Sequence, residues 1–148
     1  MITDVTNSTF VQALVSQIRA QDPYGVYRSW SDELLLKPYI LSKEEKRKIP
    51  VDTPVDPVTK GRITYFYGAI AREIERQTGK LMQVVINVNE EGFGWALVFS
   101  GKLLAVTRTL RDAQRFGFTS LEQLAQEGEK AVQAGIALIQ KFPEVAEA

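Results

Sequence analysis

Over the first 79 residues apolar positions recur at intervals of three and four, the period of a helix with one face toward a core; beyond residue 81 the interval drops to two, that of a strand. Ser8 stands ahead of Phe10, Val11, Leu14, Val15 and Ile18, so it reads as the N-cap of an amphipathic helix reaching about Gln21. Asp22-Pro23 offers a cap and a proline at the first helical position, which predicts either a turn or a short helix over residues 24–30. Ser31 then caps a helix over 32–36. Ser42 and Glu45 have the spacing of a capping box, and the polar residues around them predict a short solvated helix. Pro50, Pro54 and Pro57 mark a connection, and Asp56-Pro57 opens the longest early helix. Its apolar face is Ile63, Phe66, Tyr67, Ile70 and Ile74, and Gly79 closes it.

Residues 81–89 alternate through Met82, Val84, Ile86 and Val88, residues 93–100 are apolar almost throughout, and residues 102–108 follow a two-residue turn at Ser100-Gly101. The expectation is a three-stranded antiparallel meander. Its middle strand should be covered on both faces, since Trp95, Leu97 and Phe99 on one side and Ala96 and Val98 on the other are all apolar. Thr109 and Asp112 repeat the capping-box pattern, with Gly117 closing that short helix. A last helix starts near Thr119 or Ser120 and carries Leu121, Leu124, Ala125, Gly128, Val132, Gly135, Ile139 and Phe142 on one face. Gly128 and Gly135 on that face invite a close backbone approach, either within the chain or from a second copy in a homodimer. The pattern as a whole predicts an α+β fold, a meander packed against several helices. It reads as a single domain over 1–148, helical over 1–79, with strands over about 81–109 and a C-terminal helix over about 120–142.

Composition narrows the chemistry. The 148 residues suit one domain. Eighteen Lys and Arg balance eighteen Asp and Glu, so bulk charge points to neither nucleic acid nor an anionic membrane. No apolar run has the length of a membrane helix and the start has no signal-peptide pattern, so a cytoplasmic location is expected. Asn7-Ser8-Thr9 matches the glycosylation pattern but has no weight without secretion. The chain has no cysteine and no histidine, which removes thiolate and imidazole ligands, Cys nucleophiles and His-containing triads. Tight ligation of a metal cluster is therefore not expected, and a non-catalytic role is.

Arg108, Arg111 and Arg115 have spacings of three and four at the end of the third strand and along the short helix that follows. Arginines beside a helix N-terminus make a candidate anion site; the competing expectation is ordinary surface charge with Asp112 paired to an arginine. Lys102 begins the same strand, too far off to be counted with them. Glu90 and Glu91 sit in the first hairpin turn, where carboxylates are favoured anyway and no third ligand is visible. Gly92-Phe93-Gly94 leads into a strand and is no dinucleotide fingerprint. Tyr24, Tyr27 and Trp30 recur every three residues beside Arg28. Core packing is the first expectation for them, and a ligand platform or partner-docking patch is the functional one.

Several blocks together carry a family resemblance: FVQALVSQIRAQDPYGVYRSWSDELL near the start, GFGWALVFSGKLLAVTRTLRDAQRFGF from Gly92 to Phe118, and the terminal KFPEV. The chain resembles the NifX-associated nitrogen fixation family, a domain of unknown function, over nearly its whole length. The resemblance implies an accessory protein of nitrogen fixation, acting in maturation or delivery of the nitrogenase molybdenum-iron cofactor. It implies NifX or another assembly factor as partner, and transient rather than tight contact with the iron-molybdenum cofactor or its homocitrate. The resemblance implies histidine, often found around the positions matching Glu90 and Gln114 in relatives; this chain has none, which weakens a role resting on direct metal coordination.

Overall fold

Five of the helices in the computed structural model start on a side chain that accepts a hydrogen bond from the first turn. These N-caps are Ser8, Ser31, Ser42, Asp56 and Thr109. The structure describes residues 8–22, 24–50, 54–89, 92–99 and 102–141, with backbone alone at 88, 89, 92, 93, 95, 99, 102–108 and 110. The element order is α1 (Thr9–Ala20), α2 (Asp32–Leu36), a 3-10 turn (Lys37–Tyr39), α3 (Lys43–Lys48), α4 (Pro57–Thr78), β1 (Gln83–Asn89), β2 (Gly92–Phe99), β3 (Lys102–Thr109), α5 (Leu110–Gln114) and α6 (Leu121–Lys141). Ser42 and Thr109 both complete capping boxes, with Glu45 and Asp112 reaching back to the cap nitrogen. Asp112 thus caps α5, as its spacing from Thr109 predicted. Gly79 ends α4 in the left-handed region at φ 71°.

The strands form an antiparallel sheet in the order β1-β2-β3, with Val84 opposite Leu97 and Leu97 opposite Leu104. Helices α1, α4 and α6 pack on one another, and α4 and α6 meet the sheet, so the class is α+β. Leu97, fully buried, faces this helical layer, where its side chain approaches Ile74 and the α6 backbone at Gly135.

In the middle strand Leu97 is buried and Ala96 and Val98 are half-buried, while Gln83, Val85 and Asn87 of the edge strand β1 are exposed on the face opposite Val84 and Ile86, because the helices that meet the sheet bury the Leu97 side. The α6 glycines serve close approach within the chain, the first of the two uses expected of them. A Cβ on Gly128 would collide with the ring of Phe10, and one on Gly135 with Ile74, so this chain's own side chains fill both gaps. Gly117 does not close α5, which ends on Arg115; its missing Cβ instead lets Leu41 and the Tyr39 carbonyl come close. Phe142 lies outside the described residues.

Phe66 sits at the middle of the core. Its ring meets Phe10 at 5.1 Å, Tyr67 at 5.1 Å, Phe118 at 5.2 Å and Phe116 at 5.5 Å between centroids. Three of the four contacts are edge-to-face, the arrangement that the ring quadrupole favours. Tyr39 adds another ring against Phe116, and its buried hydroxyl donates to the Arg62 carbonyl at 2.8 Å. Strand-like hydrogen bonds, Leu41 N–H to the Phe118 carbonyl at 2.8 Å and Phe118 N–H to the Tyr39 carbonyl at 2.7 Å, tie these segments together.

Glu73 on α4 is nearly inaccessible and accepts bonds from Arg76 Nε at 2.7 Å, Arg76 Nη2 at 2.8 Å and Gln77 Nε2 at 2.7 Å. The Arg76 bonds, followed by those from Thr9 and Gln77, hold its carboxyl at about 2, below the ordinary 4.5, against the opposing effect of burial.

Two predictions follow from this core. Phe66→Ala should cost about 3–5 kcal/mol in urea unfolding, the range for losing a buried aromatic ring. Because the folded pKa of Glu73 is depressed, its contribution is complete above about pH 4.5 and fades as pH falls toward 2. Unfolding midpoints of Glu73→Gln should therefore lack the part of the wild-type slope that lies in that acid window.

Candidate functional site

The loop after α1 holds its aromatic residues outward through two local devices. Asp22 accepts the N–H groups of Val26 at 2.8 Å and Tyr27 at 2.7 Å, and Gly25 takes φ 67°, so the chain turns tightly without forming the helix that Asp22-Pro23 also allowed. Arg19 on α1 donates to the carbonyls of Tyr27 and Trp30, both at 2.9 Å, and pairs with Asp32 at 3.0 Å. One guanidinium thus fixes the middle and the far end of the aromatic stretch against α1 and the start of α2.

Tyr24 is 89 % exposed, Val26 58 % and Trp30 37 %, so core packing holds for Tyr27, which packs against the core, and not for Tyr24 or Trp30. Tyr27 is half-buried, with its ring 4.6 Å from that of Trp30. Arg28 is exposed and its guanidinium lies over Gly25. Of the four candidates, the structure brings Tyr27 and Trp30 together and leaves Tyr24 and Arg28 outside their pair.

Tyr27 and Trp30 form one wall of a cavity of about 280 Å³ between α1, α2 and α4. Ile18, Leu35, Tyr39, Val58, Gly61, Arg62 and Tyr65 supply much of the rest. Val58, 74 % exposed, extends the apolar surface at its edge. Among its described lining residues Arg62 is the one charged side chain. Its Nη1 donates to the carbonyls of Pro38 and Phe116 and its Nη2 to Thr59 Oγ1 at 3.2 Å, while Nε is shielded from solvent and has no hydrogen-bond partner. Burial pushes this guanidinium below its ordinary value, with Tyr39 and Asp56 opposing the shift. Nothing in the sequence pattern marked Arg62, Gly61 or Tyr65, because the cavity arises where helices from distant parts of the chain meet.

Of the three candidate arginines, Arg115 has a structural task. Arg115 Nη2 donates to the carbonyls of Arg47 and Ile49, both at 3.3 Å, at the C-terminal end of α3, where a cation complements the helix dipole. Arg111 is exposed on α5. Arg108 pairs with Phe93 in the β2–β3 register, and its side chain lies outside the described residues, as do Glu90 and Glu91. Lys46 Nζ donates to the Gly117 carbonyl at 2.8 Å; desolvation lowers its pKa and Asp112 opposes the shift. Among the described residues no group of three carboxylates could hold a metal ion, and no helix is long and apolar enough to cross a membrane.

Comparison with known proteins agrees with the resemblance carried by the sequence blocks. Residues 27–147 match the model of the family described as protein of unknown function, DUF269. The chain belongs to the DUF269 family. It is 40 % identical over 137 residues to a UPF0460 protein of the nifX-nifW intergenic region of Frankia alni, covering 93 % of each chain. It is 37 % identical over 145 residues to one from the nifX 3′ region of Rhodobacter capsulatus, covering 98 % of this chain and 93 % of that one. Among solved structures, a DUF269 protein from the cyanobacterium Cyanothece 51142, described as associated with nitrogen fixation, superposes with a TM-score of 0.89 at 48 % identity. That match covers 99 % of this chain and 97 % of the other. These DUF269 relatives are thus proteins of nif gene regions or of nitrogen fixation.

The role assigned to Arg19 can be checked directly. Arg19→Ala should speed tryptic cleavage after Arg28 several-fold while far-UV circular dichroism stays unchanged; equal cleavage rates would show that Asp22 and Gly25 hold the loop without it.

Proposed function

We propose that this DUF269 protein serves nitrogen fixation as a non-catalytic accessory that docks another protein of the nitrogenase assembly pathway through the outward aromatic stretch at Tyr24, Tyr27 and Trp30. The observation that carries the reading is the exposure of Tyr24, Val26 and Trp30 on a loop that Arg19 and Asp22 fasten by hydrogen bonds. Aromatic residues on a preorganised surface supply contact area at low entropic cost, which is the composition of interface anchors. The gene positions of the Frankia and Rhodobacter relatives make NifX the first partner to try.

The finer form of the proposal is a role in maturing or delivering the molybdenum-iron cofactor. Contact with the cofactor's anionic periphery or homocitrate would fall to Arg111 and Arg108, since Arg115 is engaged at the end of α3. That contact is transient in this reading, with the protein partner supplying the metal ligands that a chain without cysteine or histidine lacks.

The test is affinity capture from nitrogen-fixing cells with the tagged protein, comparing wild type with a Tyr24→Ser, Trp30→Ser double variant. Recovery of NifX or another assembly protein by the wild type, reduced about ten-fold or more in the variant, is the expected result for loss of two aromatic anchors. Equal recovery by both would move the interface elsewhere, and recovery of no assembly protein would remove the docking reading.

A further inference from the structure

Gly61 occupies the fifth position of α4, inside a helix, where glycine is a poorer choice than alanine. The α6 glycines have an internal reason to be small, since Phe10 and Ile74 fill their space. At Gly61 a Cβ would meet the ring and hydroxyl of Tyr65 at 3.7 and 3.9 Å, an ordinary contact, so packing does not ask for a glycine. Gly61 instead lines the cavity between α1, α2 and α4, and a larger side chain there would take up part of that space.

The other lining residues say what class of molecule fits. Tyr27, Trp30 and Tyr65 bring three aromatic side chains to the cavity, and Ile18, Leu35 and Val58 add aliphatic ones. Arg62, the one charged residue among those described in the lining, has no pair of free donors to offer. Its Nη1 is bonded to the carbonyls of Pro38 and Phe116, its Nη2 to Thr59 Oγ1, and its Nε is shielded. An anion would therefore leave water without a charged hydrogen bond in return. A cation would meet a like charge, with no carboxylate among the described lining residues to offset it. Both arguments leave an uncharged ligand, and aromatic side chains favour an aromatic one beyond the area buried. At about 280 Å³ the cavity has nearly twice the roughly 150 Å³ in which an apolar cavity takes up benzene, which is room for two fused rings.

We propose that this cavity binds an uncharged, flat aromatic molecule of about two fused rings among Tyr27, Trp30 and Tyr65, and that Gly61 keeps the space open for it. The site goes beyond protein docking, because it needs Gly61 and Tyr65 of α4, on which the docking reading does not rely.

Indole is the probe, titrated into the full-length protein by calorimetry at neutral pH. Tryptamine carries the same rings with a cation, indole-3-acetate carries them with an anion, and cyclooctanol is a body of similar size without an aromatic face. Saturable indole binding is expected, about ten-fold or more tighter than tryptamine, at least as tight as indole-3-acetate and about three-fold or more tighter than cyclooctanol. Gly61→Leu should abolish indole binding while the melting temperature holds or rises, because leucine occupies the space and is the better helix former. Gly61→Ala, the milder plug, should weaken binding in a fold that a single methyl does not disturb. Absence of saturable indole binding, tighter binding of either charged analogue, equal binding of cyclooctanol, or binding unchanged in both glycine variants would each overturn the proposal. Partner capture by the Gly61→Leu protein keeps the two readings apart. Capture retained while indole binding is lost supports a ligand cavity separate from the docking face, whereas loss of both would give the cavity to a partner's side chain and overturn the proposal.

Discussion

The edge-to-face packing around Phe66 is the interaction on which the rest of the molecule depends. One ring on α4 touches Phe10 from α1, its helical neighbour Tyr67, and Phe116 and Phe118 from the segment after α5. Elements more than one hundred residues apart in sequence are thereby held to a common centre, and Gly128 gives α6 its place against Phe10. The R-F-G-F run that helps to mark the family has a structural explanation in these contacts. Phe116 and Phe118 pack on Phe66, and Gly117 lets the chain pass beside Leu41 and Tyr39.

Around that centre, long cationic side chains satisfy backbone carbonyls of irregular segments. Arg19 holds residues 27 and 30, Lys46 holds Gly117, Arg62 holds Pro38 and Phe116, and Arg115 holds Arg47 and Ile49. Carbonyls outside helices and sheets need donors, and a charged donor makes a stronger bond than a neutral one. This use of charge explains why an arginine pattern that suggests an anion site is partly structural here. Arg115 serves the end of α3, and Arg62, which no sequence pattern singled out, combines fastening with a place in the one aromatic-lined cavity described between α1, α2 and α4.

Function in this reading rests on surfaces that the core positions but does not use. Arg19 and Asp22 turn Tyr24 and Trp30 outward, and the same loop supplies Tyr27 and Trp30 to the cavity.

Much of the local structure was legible in the chain. Caps at Ser8, Ser31, Ser42, Asp56 and Thr109, the stop at Gly79 and the buried faces of α1, α4 and α6 follow from short-range rules, since capping and amphipathic period act over one or two turns. The resemblance blocks likewise sufficed for the family. What the sequence alone could not determine was the partner of each long side chain or the side from which helices would cover the sheet. Arg115 could face solvent or α3, Val85 could be buried or exposed, and Gly128 could await a second copy or the ring of Phe10. Those outcomes were decided by contacts between residues dozens to more than a hundred positions apart, and local period and spacing contain no information about them. The cavity beside Gly61 is of the same kind, a space that exists because three helices fail to close on one another.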